Sequence, residues 1–265
     1  MTKAAPEGSV TVVREGGVAT VTVDKPPVNS LDDATLAGLG AAAESIGADP
    51  DVRAVVLTGA GSKTFMAGAD LAEIRGALGV PGGMEEHVAL TVPTFDAWRR
   101  LPQPVVAAVA AHAVGGGLEF ALLCDLIVAE PRCRFGLPEV TLGLIPGGGG
   151  TQRLPRRVPA ALAAEMVLLG GTIDAERARE SGLVNEVVGE GEALARAGEI
   201  AARLAALPAL AVQAAKRALR EPIDAGLDAG LDAERELFLE VCASADAREG
   251  AEAFLAKRPA RFRHR

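Results

Sequence analysis

Tyrosine is missing from this chain of 265 residues, tryptophan occurs once, and aromatic side chains make up only 3%. Positive charge is also scarce, since 27 Lys and Arg face 35 Asp and Glu for a formal net charge of −8. A basic surface interleaved with stacking aromatics is what a general nucleic-acid binder needs, and its lack argues against that class and against binding to anionic membranes. The three histidines fall in no HExxH or other ligand pair, so no metal site is expected. The cysteines, Cys124, Cys133 and Cys242, are odd in number with no CxxC spacing. Two lie in or beside apolar runs, which suggests reduced thiols in a cytoplasmic protein. No uninterrupted apolar run approaches about 18 residues, so no membrane span is expected. The start, MTKAAPEGSV, has no apolar stretch of the kind a signal peptide carries.

What the chain does have is 49% hydrophobic residues, enough for a sizeable core in one large domain or a domain with an appendage. Val18–Asp24, Arg53–Gly59, Pro104–Ala110 and Asp125–Glu130 read as strands. Their near-continuous Val/Ile/Leu/Ala content implies burial on both faces. Helical stretches alternate with them: one from Ser30, three residues ahead of Asp33, to about Gly47; one over Glu85–Leu101; a short one over Leu118–Cys124. Alternation of this kind predicts an α/β fold with parallel pairing and right-handed crossovers. Gly76–Gly83 reads as a flexible loop. Beyond about Gly191 the composition turns Ala/Leu/Arg/Glu-rich with helical periodicity, punctuated by Pro208 and Pro222. This divides the chain into a core, 1–195, and a helical C-terminal region, 196–265.

The stretch Val114–Leu122, VGGGLEFAL, sets one carboxylate among apolar residues. A strand ends shortly before it and a helix begins near Gly117, so Gly115–Gly117 can offer free backbone N–H groups to an anionic oxygen. Glu119 falls in the first turn, where the helix dipole alone would favour it. A second glycine turn, FMAGADL, exposes the donors of Gly68 and Ala69 before a helix with Asp70 near its start. Donors from two segments are what an oxyanion hole requires. In Phe135–Leu154, FGLPEVTLGLIPGGGGTQRL, Glu139 sits among apolar residues. It is either a structural acid paired with Arg153, Arg156 or Arg157, or a working one; Gly147 could aim another N–H at the same spot. If Glu119 and Glu139 meet in an apolar pocket, repulsion and desolvation keep one protonated, and an acid and a base flank one water. That equipment suits addition of water across a polarised double bond. GAGSKT (Gly59–Thr64) lacks the spacing of a phosphate-binding loop, and VGGGLEF lacks that of a dinucleotide site. His112 has no recognisable nucleophile or orienting partner and reads as structural.

FMAGADL, HAVGGGLEFALLCDLIVA and FGLPEVTLGLIPGGGGTQRLPR, with KPPVNSLD before them and AFLAKRPARF after, resemble the motifs of the crotonase, or enoyl-CoA hydratase/isomerase, superfamily from about Val10 to the C-terminus. The resemblance implies a spiral of ββα units with a helical C-terminal trimerisation region, in trimers often paired as hexamers. It implies an acyl-CoA thioester substrate and no cofactor beyond the coenzyme A that the substrate carries. By motif position it makes Ala69 and Gly116 the oxyanion donors, Glu119 and Glu139 the two acids of a hydratase, and Gly147 a holder of the catalytic water. Ala69, Asp70, Leu71 and Ala72 fall where backbone contacts coenzyme A; Phe254 and Lys257 fall where a neighbouring subunit approaches it. Possession of both acids favours a 2-enoyl-CoA hydratase over a double-bond isomerase, and also over a non-enzymatic RNA-binding or assembly protein.

Overall fold

The computed structural model describes residues 10–220 and 227–264, which leaves Pro222 outside it. The elements run β1 (Val10–Glu15), β2 (Val18–Val23), α1 (Asp33–Gly47), β3 (Ala54–Gly59), β4 (Thr64–Met66), α2 (Leu71–Leu78), α3 (Gly83–Arg100), β5 (Val105–Val109), β6 (His112–Val114), α4 (Gly116–Leu123), β7 (Leu126–Ala129) and β8 (Arg134–Gly136). A 3-10 turn (Glu139–Leu142) follows, then α5 (Gly150–Arg153), a second 3-10 turn (Leu154–Arg156), α6 (Ala160–Leu169), β9 (Thr172–Asp174), α7 (Ala175–Glu180), β10 (Glu186–Val187) and the helices α8 (Ala193–Ala206), α9 (Ala209–Arg220), α10 (Leu227–Cys242) and α11 (Ala245–Leu255).

The four apolar runs of the sequence become β2, β3, β5 and β7. They lie within a six-stranded sheet of order β1-β2-β3-β5-β7-β10, parallel except for the β1–β2 hairpin. Both faces are covered, as the runs imply. Along β3, Val55 and Leu57 enter the larger core with Trp98, Phe120 and Ile127, while Ala54 and Val56 face α8. The α8 stripe is Ala193, Ala197, Ala201 and Ala205, spaced by four, so the helix lies close against the sheet. Each fully buried Val or Leu contributes about 1.5–3 kcal/mol.

A second, four-stranded sheet has the order β4-β6-β8-β9. Its first three strands are parallel, so the chain leaves each of them at the same edge. Two close approaches hold this sheet to its surroundings. The Asn29 side chain donates to the carbonyls of Ala60, Thr64 and Phe65 and accepts from Lys25 N, pinning the PVNSL segment to β4. Gly117 brings α4 against β4, where an added Cβ would stand 1.9 Å from Met66 O.

Three local expectations change. The cap of α1 is Asp32, whose carboxylate accepts from Thr35 N at 2.8 Å; the Ser30 hydroxyl donates instead to Asp70 at 3.2 Å. The glycine-rich 76–83 stretch is half helical, because α2 continues through Leu78 and α3 begins at Gly83, which leaves 79–82 as connection. The compositional boundary at 195/196 falls inside α8, whose apolar stripe belongs to the core.

The C-terminal helices α9 to α11 dock differently. Lys216 and Arg220 of α9 pair with Asp125, at 3.0 Å and 2.7 Å, and Asp125 also accepts from Val105 N. Arg220 donates to Leu123 O and Arg157 to Cys124 O, capping the end of α4 with two cations. The final residues hook back on α11, where the buried Asp246 accepts from Arg263 N and His264 N.

Candidate active site

Three chain segments emerge from the shared edge of β4, β6 and β8, and each brings one piece of the site. After β4 come Gly68 and Ala69. After β6 come Gly115 and α4, with Glu119 in its first turn. After β8 comes Glu139 at the head of the 3-10 turn. The segments are laced together: Gly115 N donates to Gly136 O at 2.9 Å, and Leu31 N to Gly68 O at 2.8 Å. A ligand at the carboxyl edge of parallel strands is the usual arrangement in α/β proteins.

Ala69 and Gly116 are neighbours. A Cβ built on Gly116 would lie 3.7 Å from Ala69 N, and one built on Gly68 would lie 3.0 Å from Gly116 N. As the first residue of α4, Gly116 has an N–H without an acceptor inside its helix. The structure therefore brings together the two amides that the sequence singles out.

Glu119 is almost fully enclosed, 3% exposed, on the apolar face of α4. Gly150 N donates to its Oε1 at 2.7 Å, and the Gly148 backbone also holds it. Burial pushes its carboxyl up to about 7; these amides and the charge of Arg153 pull the other way, and Glu139 adds to the rise. Phe95 stacks on Phe120, ring centroids 4.3 Å apart, and closes the apolar side. Side chains do not fit here: a Cβ on Gly148 would stand 2.6 Å from the Phe95 ring and 2.7 Å from Glu119 Oε2.

Glu139 is half-buried and lies against the Gly115 turn, where an added Cβ would be 3.3 Å from its Oε1. Its Oε2 is buried with no hydrogen-bond partner among the described residues, and burial raises its carboxyl above the usual range. The alternative of a structural acid paired with a nearby arginine therefore fails. Arg153 donates to Gly148 O, Arg156 to Gln152 and Arg157 to Cys124 O. The two acids sit close enough to repel, and each is shifted mainly by desolvation.

Several other residues acquire places. Asp70 caps α2 by accepting from Ala72 N at 2.9 Å and lies 3.6 Å from Lys25, while Leu71 and Ala72 are exposed beside it. Gly147 faces open space, since an added Cβ would meet nothing within 4 Å. The amides on Glu119 are those of Gly148 and Gly150, which the sequence reading did not name. Four successive glycines carry no side-chain signal that distinguishes them. Phe254 and Lys257 end up on α11 and just after it, exposed, on a helix that packs against α10. Among the described residues, no contact within the single chain ties either to the two acids. His112 is exposed at the start of β6. Cys124 and Cys133 are buried free thiols, with burial pushing them up to about 12 and about 11. No group of three or more His, Cys, Asp or Glu among the described residues could hold a metal ion, and no described helix is long and apolar enough to cross a membrane.

With this geometry in hand, comparison with known proteins is direct. The profile of the enoyl-CoA hydratase/isomerase family matches residues 13–265. A 2,3-dehydroadipyl-CoA hydratase of Escherichia coli is 41% identical, the alignment covering 96% of this chain and 98% of the relative. A probable enoyl-CoA hydratase of Rhizobium meliloti is 39% identical over 96% and 97%. The crystal structure of an enoyl-CoA hydratase from Bacillus anthracis superposes with a TM-score of 0.91 at 36% identity, over 97% of this chain and all of the other. By sequence and by fold, the chain belongs to the enoyl-CoA hydratase/isomerase family.

Proposed function

We propose that the protein is a 2-enoyl-CoA hydratase, adding water reversibly across the 2,3 double bond to give a 3-hydroxyacyl-CoA. One observation carries this reading. Two desolvated carboxyls act on one another, one held by glycine amides and the other with a buried oxygen that no group among the described residues satisfies. A buried acceptor without a partner costs about 1–3 kcal/mol, which is most readily explained by a role toward substrate.

In this mechanism the thioester carbonyl oxygen accepts from Ala69 N–H and Gly116 N–H. Electron density moves onto that oxygen, and Cβ becomes electrophilic. Glu119, ionised, takes one proton of the water as its oxygen bonds to Cβ. Glu139 delivers a proton to Cα as the enolate collapses. The carboxyl raised to about 7 suits a base working near neutral pH. The N–H of Gly147 is assigned to the water, and the backbone of Ala69, Asp70, Leu71 and Ala72 to the coenzyme A moiety. Coenzyme A enters as part of the substrate, and the mechanism calls on no further cofactor or metal.

Phe254 and Lys257 are assigned to the site of a neighbouring copy in a homotrimer or a hexamer of paired trimers. That assignment accounts for a chain whose tail carries Phe254 at 84% and Leu255 at 81% exposure. The same reading places the enzyme in the cytoplasm, with its thiols reduced.

Incubation with crotonyl-CoA and, separately, with a 3-enoyl-CoA, while following the conjugated enoyl absorbance, tests the assignment. A hydratase consumes the first signal. Growth of that signal from the 3-enoyl substrate, with crotonyl-CoA untouched, would make the protein an isomerase instead.

A further inference from the structure

The loop that holds Glu119 is itself held. Arg153 closes α5 and turns its guanidinium back to donate through Nη1 to Gly148 O. The peptide it grips belongs to the same glycine run whose Gly148 and Gly150 amides hold the Glu119 carboxyl. Nothing separates the guanidinium from that run. Gly149 adopts φ +97, and a Cβ there would stand 2.1 Å from Arg153 Nη1. On the other side, Gly148 is wedged between the Phe95 ring and Glu119 Oε2. Guanidinium, loop and carboxyl thus form one packed stack, in which a displacement of the first reaches the last.

We propose that Arg153 is a positioning residue of the hydration site: it fixes the Gly148–Gly150 loop whose amides hold Glu119 and sets its positive charge against that loop. The inference rests on Glu119 being the base of the proposed reaction. The charge is well isolated for this task. Of the elements packed on α4, α5 contributes Arg153, which acts on Glu119 together with Glu139 of the 3-10 turn. β4 has no charged residue, and β6 has only the exposed His112. Asp96 and Arg99 of α3 and Arg220 of α9 act on Arg153. Arg153 is therefore the cation that opposes both burial and Glu139. Its planar fork also suits a carbonyl better than a point charge would.

Arg153→Met and Arg153→Lys separate geometry from charge. Glu119→Gln is measured alongside them, with folding followed by thermal melting and site integrity by binding of butyryl-CoA. In Arg153→Met, kcat for crotonyl-CoA hydration falls about 10- to 100-fold, as loss of alignment at a distance does. KM stays within a few-fold, and the acidic limb of kcat/KM moves to higher pH. Arg153→Lys keeps the limb near its wild-type position while recovering only part of kcat. A limb that stays in place in a folded Arg153→Met protein overturns the proposal, as does full kcat in Arg153→Lys. Should Arg153→Met not fold, the Lys variant decides: a reduced kcat with an unmoved limb supports the proposal, and either a wild-type kcat or a displaced limb overturns it. An inactive Glu119→Gln beside a normal Arg153→Met rejects the role of Arg153 alone. An active Glu119→Gln rejects the base assignment, and the role of Arg153 with it.

Discussion

The spiral core and the C-terminal helices solve the same problem by different means. Around the sheets and α4, Val, Leu, Ile and Phe are removed from water within one copy of the chain and the aromatic residues are enclosed, while Ile145, Leu168 and Leu169 stay exposed at the periphery. In α9 to α11, Leu219, Phe238, Leu239, Phe254 and Leu255 stand mostly in solvent. The arm is attached through the buried Lys216 and through Arg220, both paired with Asp125. Burial of apolar surface accounts for the core. The arm owes its place to charge, with apolar faces left over, which fits a segment completed by another copy. The difference teaches that one sequence fixes its helices to the same sheet in two ways, α8 by an apolar stripe and α9 by a handful of charges behind α4.

The largest expected effect tests whether activity resides wholly in the core. Glu119→Gln and Glu139→Gln should each lower kcat for crotonyl-CoA by about 10²–10⁴, with butyryl-CoA binding and assembly unchanged. A loss confined to KM would move the chemistry elsewhere. Next comes the junction. Asp125→Ala strands Lys216 in a buried position and should cost about 3–5 kcal/mol in urea unfolding. An unchanged midpoint would show that the arm is held by something other than this charge cluster.

A third effect sharpens the electrostatic side of the core. Glu119 titrates at about 7 folded against about 4.5 unfolded, so the folded chain binds the proton more tightly. The stability this gives is full below about pH 4.5 and is lost as pH rises through 7. Glu119→Gln escapes that loss. It should match the wild type at pH 4 and exceed it by about 3 kcal/mol at pH 8, as read from urea melts. Equal stability at both pH values would mean that Glu119 is solvated. The smallest effect belongs to the arm. Phe254→Ser with Leu255→Ser should shift unfolding of the isolated chain by less than about 0.5 kcal/mol, since both residues are exposed. The same pair should lower the assembled mass in size-exclusion chromatography, and an unchanged mass would place the interface elsewhere.

Much of this was legible in the sequence where apolar pattern runs long. The four central strands lie within one residue of their expected ends at each terminus, because both faces of the sheet are covered and the apolar runs are continuous. The second sheet went unread. β4, β6 and β8 have three residues each, too few for alternation to show. The 76–83 stretch misled because glycine propensity was overridden by the packing of α2 and α3 on each other. At the site, the two acids and the two amides could be named from their motifs. That Gly148 and Gly150 hold Glu119 could not, since backbone direction leaves no mark in a glycine run. Asn29, which ties three carbonyls together, looked like an ordinary loop residue.

Gly117 carries a consequence for how such a sequence can drift. With Met66 O only 1.9 Å from where a methyl group would begin, even alanine would pry the helix bearing Glu119 and Gly116 away from the strand that leads to Ala69. A saturation library selected for growth on the enzyme's activity should therefore return a single allowed letter at position 117.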